Sequence, residues 1–174
     1  MSSKRTAIVT GASQGIGAAA VEALVNAGYN VVATSRTVNQ SLTASPNLVL
    51  VAGDIGKKET AAKVVAAALE NFGSIDLLVT NAGIFSTKPF TGFTTDDFNA
   101  LVSTNLLGFL YITQLAVEQM LKQKGGAVVS ITASPDEPAI AGTVKGLDDA
   151  GRLLLKTRRG IERILSGQVN LHGR

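Results

Sequence analysis

The stretch Thr10-Gly11-Ala12-Ser13-Gln14-Gly15-Ile16-Gly17 decides the fold of this 174-residue chain. An apolar run, 6–9, precedes it, and an alanine-rich run typical of a helix, 18–24, follows it. A helix that starts after such a turn has unpaired backbone N–H groups, and its dipole adds positive charge there. Glycines allow an anion to approach because they carry no Cβ. We therefore predict a pyrophosphate site at this turn, since the motif is informative between a strand and a helix.

The composition is that of one globular domain. Hydrophobic residues make up 45% and charged residues 17% of the chain, which argues against disorder. The absence of cysteine excludes a disulfide framework and thiolate chemistry, and it fits a cytoplasmic location. The sequence shows neither a signal peptide nor an apolar span of membrane length, so we expect no membrane partner. No residues have metal-ligand spacing, and we predict no metal site.

Basic residues are concentrated at the C-terminal end. The net charge is +3, and from Gly142 onward seven Lys and Arg residues oppose three acidic ones. We therefore predict a dinucleotide-binding domain over 1–141 and an atypical basic tail over 142–174 that is not a separate domain. The tail is expected to form one helix over 147–166 or to be disordered, although Gly151 and Gly160 each weaken a helix by about 1 kcal/mol.

Strand-like and helix-like segments alternate before this tail. The predicted strands are Thr6–Thr10, Asn30–Thr34, Leu48–Val51, Ile75–Thr80 and Ala127–Thr132. The predicted helices are Gly15–Ala27, Lys57–Phe72 and Thr95–Gln123, with a loop over Asn39–Pro46 in place of a further helix. The strands are continuously apolar, as in a sheet covered on both faces. The sequence therefore predicts an α/β fold, a Rossmann-type doubly wound parallel sheet of about five strands.

Up to about Gly142 the chain resembles the short-chain dehydrogenase/reductase family. The resemblance rests on the glycine-rich turn, on Asn81-Ala82-Gly83 after the fourth strand, on Asn105 within 103–108, and on 125–131 as the fifth strand. It implies that Asp54 contacts the adenine of a dinucleotide and that Asn105 holds a water of a proton relay. The predicted cofactor-binding residues are Gly11, Ser13, Gln14, Gly15, Ile16, Gly17, Ser35, Arg36, Asp54, Ile55, Asn81, Ala82 and Gly83.

The end of the second strand bears on which cofactor is bound. An acidic residue there would bind the ribose 2′-hydroxyl of NAD, but Ser35 occupies this position and Arg36 follows it. An arginine offers a planar fork of donors suited to a 2′-phosphate, which favours NADP over NAD. The alternative is a solvated Arg36, and Gln14 lacks the positive charge that some NADP-binding relatives carry in the glycine motif.

The catalytic residues that the resemblance implies are incomplete. The family moves a proton with a tyrosine that precedes a lysine by four residues, and a serine polarises the substrate oxygen. Neither Tyr29 nor Tyr111 precedes such a lysine, and the serine position falls on Ala133, one residue before Ser134. Ser134 and Asn105 are the candidates for catalytic residues, and whether the chain is an active enzyme is left open.

Three interpretations follow. The first is an oxidoreductase that transfers hydride between NADP(H) and a carbonyl or secondary alcohol. The second is an inactive nucleotide-binding remnant, truncated or frameshifted past Gly142, where the composition changes. The third is an interaction protein that uses its basic tail, although a tail without aromatic residues argues against nucleic acid as the partner. The resemblance also implies a homo-oligomer formed through the helix at 95–123.

Overall fold

The structure is a computed structural model that describes residues 4–131, 143–147, 153–157 and 160–164. Contacts divide the chain into two compact units, Met1–Val129 and Ser130–Arg174. The predicted domain boundary after residue 141 lies outside the described residues and stays a prediction.

A five-stranded parallel sheet in the order β3-β2-β1-β4-β5 forms the centre of the first unit. Its strands are β1 (Thr6–Thr10), β2 (Asn30–Ser35), β3 (Leu48–Ala52), β4 (Leu77–Thr80) and β5 (Ala127–Ser130). Every residue of β1 is buried, which explains why this strand is continuously apolar at its centre. The predicted Rossmann-type sheet is confirmed.

The fourth strand begins two residues later than the sequence suggests. The backbone of Ile75 is bonded to a side chain, because its N–H donates to Gln123 Oε1 at 3.3 Å and its carbonyl accepts from Gln123 Nε2 at 2.8 Å. The carboxylate of Asp76 accepts the Thr6 N–H at 2.7 Å. These side-chain bonds fix the entry to β4 in a way that hydrophobic patterning does not reveal.

Helices cover the sheet. They are α1 (Gly15–Asn26), α2 (Val38–Ser41), α3 (Lys58–Phe72), α4 (Thr95–Leu101) and α5 (Gly108–Lys122), and a π-helical segment, Val102–Leu107, joins α4 to α5. The loop predicted from Asn39 is wrong at its start, because α2 forms there and Val38, 0% exposed, anchors it. The predicted long helix is confirmed in extent except for its last residue, but the π segment inside it was not predicted.

The main core lies between the sheet and helices α3 and α5. Its buried members are Ile8, Val32, Ile55, Ala61, Val64, Ala68, Ile75, Leu78, Ile112, Ala116 and Met120. The face of the sheet toward α3 and α5 is formed by Ile8, Val32 and Leu78. The alternate residues of each strand point to the opposite face. Helix α1 buries Val21 and Leu24.

The segment Thr95–Lys122 has an 18-residue window with a mean hydropathy of 1.5, so by length and composition it could cross a membrane. The expectation that the sequence has no apolar span of this length is therefore wrong. Ile112 and Ala116 of the same segment are 0% exposed in the core, so packing accounts for part of its apolar character.

The second unit contains a three-stranded antiparallel sheet in the order β6-β7-β8. Its strands are β6 (Thr143–Leu147), β7 (Leu153–Thr157) and β8 (Gly160–Ile164). The helix predicted over 147–166 is wrong. Gly151 and Gly160 disfavour a helix in this range, and β7 instead pairs antiparallel with β8, with Thr157 opposite Gly160.

Candidate functional site

A crevice of about 430 Å³ lies at the carboxyl ends of β1, β2 and β4. Strand β1 pairs with β2 on one side and with β4 on the other. The connection after β1 runs to β2, and the connection after β3 runs back to the opposite side of β1, so the strand order reverses at this point. Ligands of open α/β sheets bind at such a switch point. The lining residues are Gly11, Ser13, Gln14, Gly15, Ile16, Thr34, Ser35, Arg36, Thr37, Gly53, Asp54, Ile55, Asn81, Ala82, Gly83, Ile84 and Thr104.

The glycine-rich turn forms the floor of the crevice. Gly15 has a φ of +56° and a Cβ built on it would meet no atom within 4 Å, so the space above it is open. Helix α1 starts at this residue, and the side chain of Gln14 makes no capping hydrogen bond. Gln14 therefore leaves the first N–H groups of α1 without a capping acceptor, and an anion in the crevice would satisfy them.

The other two glycines of the motif serve packing. A Cβ on Gly11 would lie 2.8 Å from Ala82 Cα, and one on Gly17 would lie 2.5 Å from Asn81 Nδ2. Gly17 is buried and does not line the crevice, and its predicted role in cofactor binding stays a prediction. Gly15 is the member of the motif that leaves room for a ligand.

Asn81 joins the end of β4 to the glycine-rich turn. Its Nδ2 donates to Thr10 O at 3.2 Å and to Gly11 O at 3.1 Å, and the backbone N–H groups of Asn81 and Ala82 both donate to Thr10 Oγ1 at 3.0 Å. This network fixes the spacing of the two loops that border the crevice. The second family motif was identified from sequence, but its action through Thr10 was not.

The end of β2 forms one wall of the crevice. Arg36 is exposed, and the half-buried Ser35 accepts the N–H of Thr37 with its Oγ at 3.3 Å. The hydroxyl of Thr34 is buried and has no hydrogen-bond partner among the described residues, although Thr34 lines the crevice. A buried hydroxyl without a partner is costly, and this one is closed to the crevice as it stands.

Charged side chains are few at this site. Among the described residues that line the crevice, Asp54 is the single acidic residue and Arg36 is the single basic residue. Asp54 Oδ1 accepts the N–H of Gly56 at 3.0 Å, which shapes the loop after β3. The carboxylate therefore lies at the end of β3, and β2 ends in a hydroxyl and a guanidinium.

The two predicted catalytic residues have different outcomes. Asn105 lies in the π segment, where its Oδ1 accepts the N–H of Ile84 at 2.8 Å and its Nδ2 donates to the Ile84 carbonyl at 2.9 Å. Asn105 does not itself line the crevice, so its predicted water contact stays a prediction. Ser134 lies outside the described residues.

All predicted cofactor-binding residues except Gly17 line the crevice, and their roles there stay predictions. Sequence reasoning missed Thr34, Thr37, Gly53, Ile84 and Thr104. All five adjoin residues that were named, so each motif could have been read as a longer segment. Thr104 precedes Asn105 directly, but sequence alone does not show which way it faces within the π segment. Within the described part of the chain no three His, Asp or Glu side chains lie close enough to hold a metal ion.

The open space at Gly15 and the uncapped start of α1 together fit a phosphate-containing nucleotide. The chain is similar to the L-rhamnose 1-dehydrogenase (NAD(P)(+)) of Azotobacter vinelandii, with 34% identity over 141 residues, 74% of this chain and 55% of that protein. It is also similar to the serine 3-dehydrogenase of Agrobacterium fabrum, with 32% identity over 146 residues, 81% of this chain and 59% of that protein. The chain thus spans little more than half the length of these relatives.

Solved structures agree with this similarity. A short-chain dehydrogenase from Streptomyces avermitilis matches with a TM-score of 0.71 and 30% identity, over 81% of this chain and 53% of that one. ElxO with NADP bound matches with a TM-score of 0.67 and 29% identity, over 75% of this chain and 56% of that one.

The C-terminal part is similar to a different family. A model described as biotin protein ligase C terminal domain matches residues 126–171, which include the antiparallel sheet β6-β7-β8. A frameshifted segment is not expected to match a family model, so the frameshift is not favoured. The match covers much less than half of the chain and assigns no function to it.

The family model described as short chain dehydrogenase matches residues 5–142, well over half of the chain. This match agrees with the strand order of the sheet, with the glycine-rich turn and with the relatives described above. Neither the inactive nucleotide-binding remnant nor the interaction protein is favoured as an alternative. The chain belongs to the short-chain dehydrogenase/reductase family of oxidoreductases.

Proposed function

We propose that this chain binds NADP(H) in the crevice at the ends of β1, β2 and β4. The reaction that we propose for it is the transfer of hydride between this cofactor and a carbonyl or secondary alcohol. The observation that carries the proposal is the end of β2, where Ser35 and the exposed Arg36 border the crevice without a carboxylate. The NADP bound to ElxO and the two-cofactor name of the L-rhamnose 1-dehydrogenase are consistent with it.

Each part of the crevice suits one part of the cofactor. The N-terminus of α1, open above Gly15, would hold the pyrophosphate through backbone N–H groups. The guanidinium of Arg36 would pair with the 2′-phosphate, and the half-buried Ser35 lies on the same wall. Asp54, at the end of β3, would contact the adenine side. The nicotinamide supplies or accepts hydride when bound, and the loop at Gly83 would border it.

The described residues contribute no obvious proton donor to this site. Tyr29 lies under the guanidinium of Arg5, 4.8 Å from the ring centroid, and Tyr111 packs against the hydrophobic core. Neither lines the crevice. The described geometry therefore supports binding of the cofactor more directly than turnover of a substrate.

Titration of the purified chain with NADPH and NADH, followed by calorimetry, tests the proposal. We expect NADPH to bind at least about tenfold more tightly, because one charge-assisted pair with the 2′-phosphate is worth roughly 1.5–3 kcal/mol. Binding of NADH with equal or greater affinity would overturn the preference for NADP. Absence of binding by both would overturn the assignment of the crevice.

A second copy of the chain is the partner that we propose for the helical segment from α4 to α5. This segment exposes 56% of Phe98 and 60% of Leu106, and Leu110 is 40% exposed. Light scattering should give the mass of a dimer or larger assembly for the parent and a smaller mass for Phe98→Glu. A monomeric parent would refute this part. The cytoplasmic location and the absence of nucleic acid and membrane partners stay predictions.

A further inference from the structure

The π segment Val102–Leu107 presents three successive residues to three different places. Ser103 contacts Gly56 in the loop after β3, Thr104 lines the crevice, and Asn105 holds the backbone of Ile84 after β4. The wider turn of a π-helix changes the directions of consecutive side chains, and such segments occur frequently at functional sites. One turn of helix thus contacts both sides of the crevice.

The first side is the β3 wall, which we define as Asp54, Ile55 and Gly56. It approaches the π segment so closely that both contact points require glycine. A Cβ on Gly56 would lie 2.9 Å from Ser103 O and would overlap Ser103 Oγ. A Cβ on Gly108, directly after the π segment, would lie 2.8 Å from Ile55 Cγ2. Ile55 is 7% exposed, so it has little room to move away.

The second side is the β4 wall, which we define as Ala82, Gly83 and Ile84. Asn105 binds both the N–H and the carbonyl of Ile84, at 2.8 and 2.9 Å. A Cβ on Gly83 would lie 3.6 Å from Asn105 Oδ1, which is ordinary contact. The β4 wall is therefore tied to the π segment by hydrogen bonds, and the β3 wall is held there by close packing.

We propose that the π segment sets the distance between the two walls, and that Gly108 and Asn105 are positioning residues for a ligand that spans them. This inference rests on the proposed binding of NADP(H). A dinucleotide touches both walls, because its adenosine lies on the side of β2 and β3 and its other half lies on the side of β4. A ligand confined to the adenosine side depends on the β3 wall alone.

Two ligands distinguish the contribution of each wall to binding. NADPH spans the crevice, and adenosine 2′,5′-bisphosphate carries only the adenosine part. Asn105→Ala releases the β4 wall, so we expect about tenfold weaker binding of NADPH, the upper range for one hydrogen-bonded contact, and unchanged binding of the bisphosphate. Gly108→Ala displaces Ile55 in the β3 wall, so we expect both ligands to bind more weakly.

Matched controls exclude a general loss of structure. Gly125→Ala adds a Cβ where no atom lies within 4 Å, and Asn71→Ala removes an exposed side chain that bonds Ala67 O at 2.8 Å within its own helix. Both controls should keep the affinities of the parent. Thermal melts show that each variant is folded at the titration temperature. If Asn105→Ala is unfolded, Asn105→Asp replaces it, because the carboxylate keeps an acceptor for the Ile84 N–H. This variant should also bind NADPH more weakly and bind the bisphosphate as the parent does.

The outcomes distinguish this inference from the function on which it rests. A parent that binds NADPH, with equal losses for both ligands in the Asn105 variant, would overturn the positioning role and leave the proposed function intact. Unchanged affinities in both variants would overturn it as well. A parent that binds neither ligand would overturn the proposed function itself.

Discussion

Asn81 Nδ2 lies 3.1 Å from Gly11 O and donates a hydrogen bond to it. The same nitrogen donates to Thr10 O at 3.2 Å, so one amide holds both carbonyl groups at the start of the glycine-rich turn. Gly17 of α1 packs against this amide, since a Cβ there would lie 2.5 Å from Nδ2. The amide therefore joins β4, the turn and α1.

Asn81→Ala should destabilise the fold. Removal of the amide leaves Thr10 O and Gly11 O without this donor, and an unsatisfied buried acceptor costs about 1–3 kcal/mol. Urea denaturation followed by circular dichroism gives the change in the free energy of unfolding. Asn71→Ala, on the exposed face of α3, is the control and should change it little. A change for Asn81→Ala no larger than that of the control would contradict this account.

The sequence is most informative where structure is decided locally. Strand β1, the glycine-rich turn and α1 lie within 6–26, and their apolar runs and glycines predict them almost to the residue. The π segment has no such signal, because the residues that it contacts, Gly56 and Ile84, come from distant parts of the chain. In the C-terminal unit we predicted a helix over 147–166, whereas pairing between strands decides the structure of its described residues.

Ser35→Asp should reverse the preference for NADPH. The new carboxylate would lie at the end of β2 where a 2′-phosphate is expected, and it would accept the 2′-hydroxyl of NADH instead. Competitive titration with both cofactors measures the ratio of affinities, which should move toward NADH by about tenfold or more. Gln40→Asp places a carboxylate at an exposed position of α2 that does not line the crevice, and it is the control. A ratio unchanged by Ser35→Asp would show that Ser35 does not face the ribose.

Gly15→Asn should abolish cofactor binding at small cost to stability. Gly15 has a φ of +56°, a conformation that Asn adopts more readily than most residues, and its side chain would enter the open space where the pyrophosphate is expected. Gly73→Asn is a matched control, because Gly73 has a φ of +79° and also has no atom within 4 Å of a built Cβ. A folded Gly15→Asn variant that binds NADPH as well as the control would refute the phosphate site.

The stability contributed by Asp97 should depend on pH in the acid range. Its pKa is lowered from 3.8 to about 2, first by the hydrogen bond from Lys88 and then by the bonds from the backbone and hydroxyl of Thr94 at the start of α4. A depressed pKa stabilises the folded state above the unfolded value, and this contribution is lost as pH falls through the folded value. The stabilisation should therefore be constant between pH 7 and about 4 and should decline toward pH 2.

Denaturation midpoints of the parent and Asp97→Asn, measured from pH 7 to 2.5, check this. The difference between them should narrow only below about pH 4. Asp96→Asn, a neighbouring exposed position in the first turn of α4, is the control for the general effect of charge near a helix N-terminus. A difference that is constant down to pH 2.5 would show that the Lys88–Asp97 pair, at 2.6 Å, does not stabilise the fold.

Turnover of carbonyl or alcohol substrates by this chain should be slow, because the residues that line the crevice include no tyrosine to transfer the proton. Proton transfer needs a group within hydrogen-bond reach of the reacting oxygen, and loss of such a group commonly costs about 10²–10⁴ in rate. Tyr29 and Tyr111 do not line the crevice, and no tyrosine in the sequence precedes a lysine by four residues. A panel of aldehydes, ketones and secondary alcohols, followed at the absorbance of the reduced nicotinamide, measures turnover, with an L-rhamnose 1-dehydrogenase as the positive control. Turnover as fast as that of the positive control, and abolished by Gly15→Asn, would contradict this prediction, because it would show that a proton donor acts at the same crevice from a residue outside the described part of the chain.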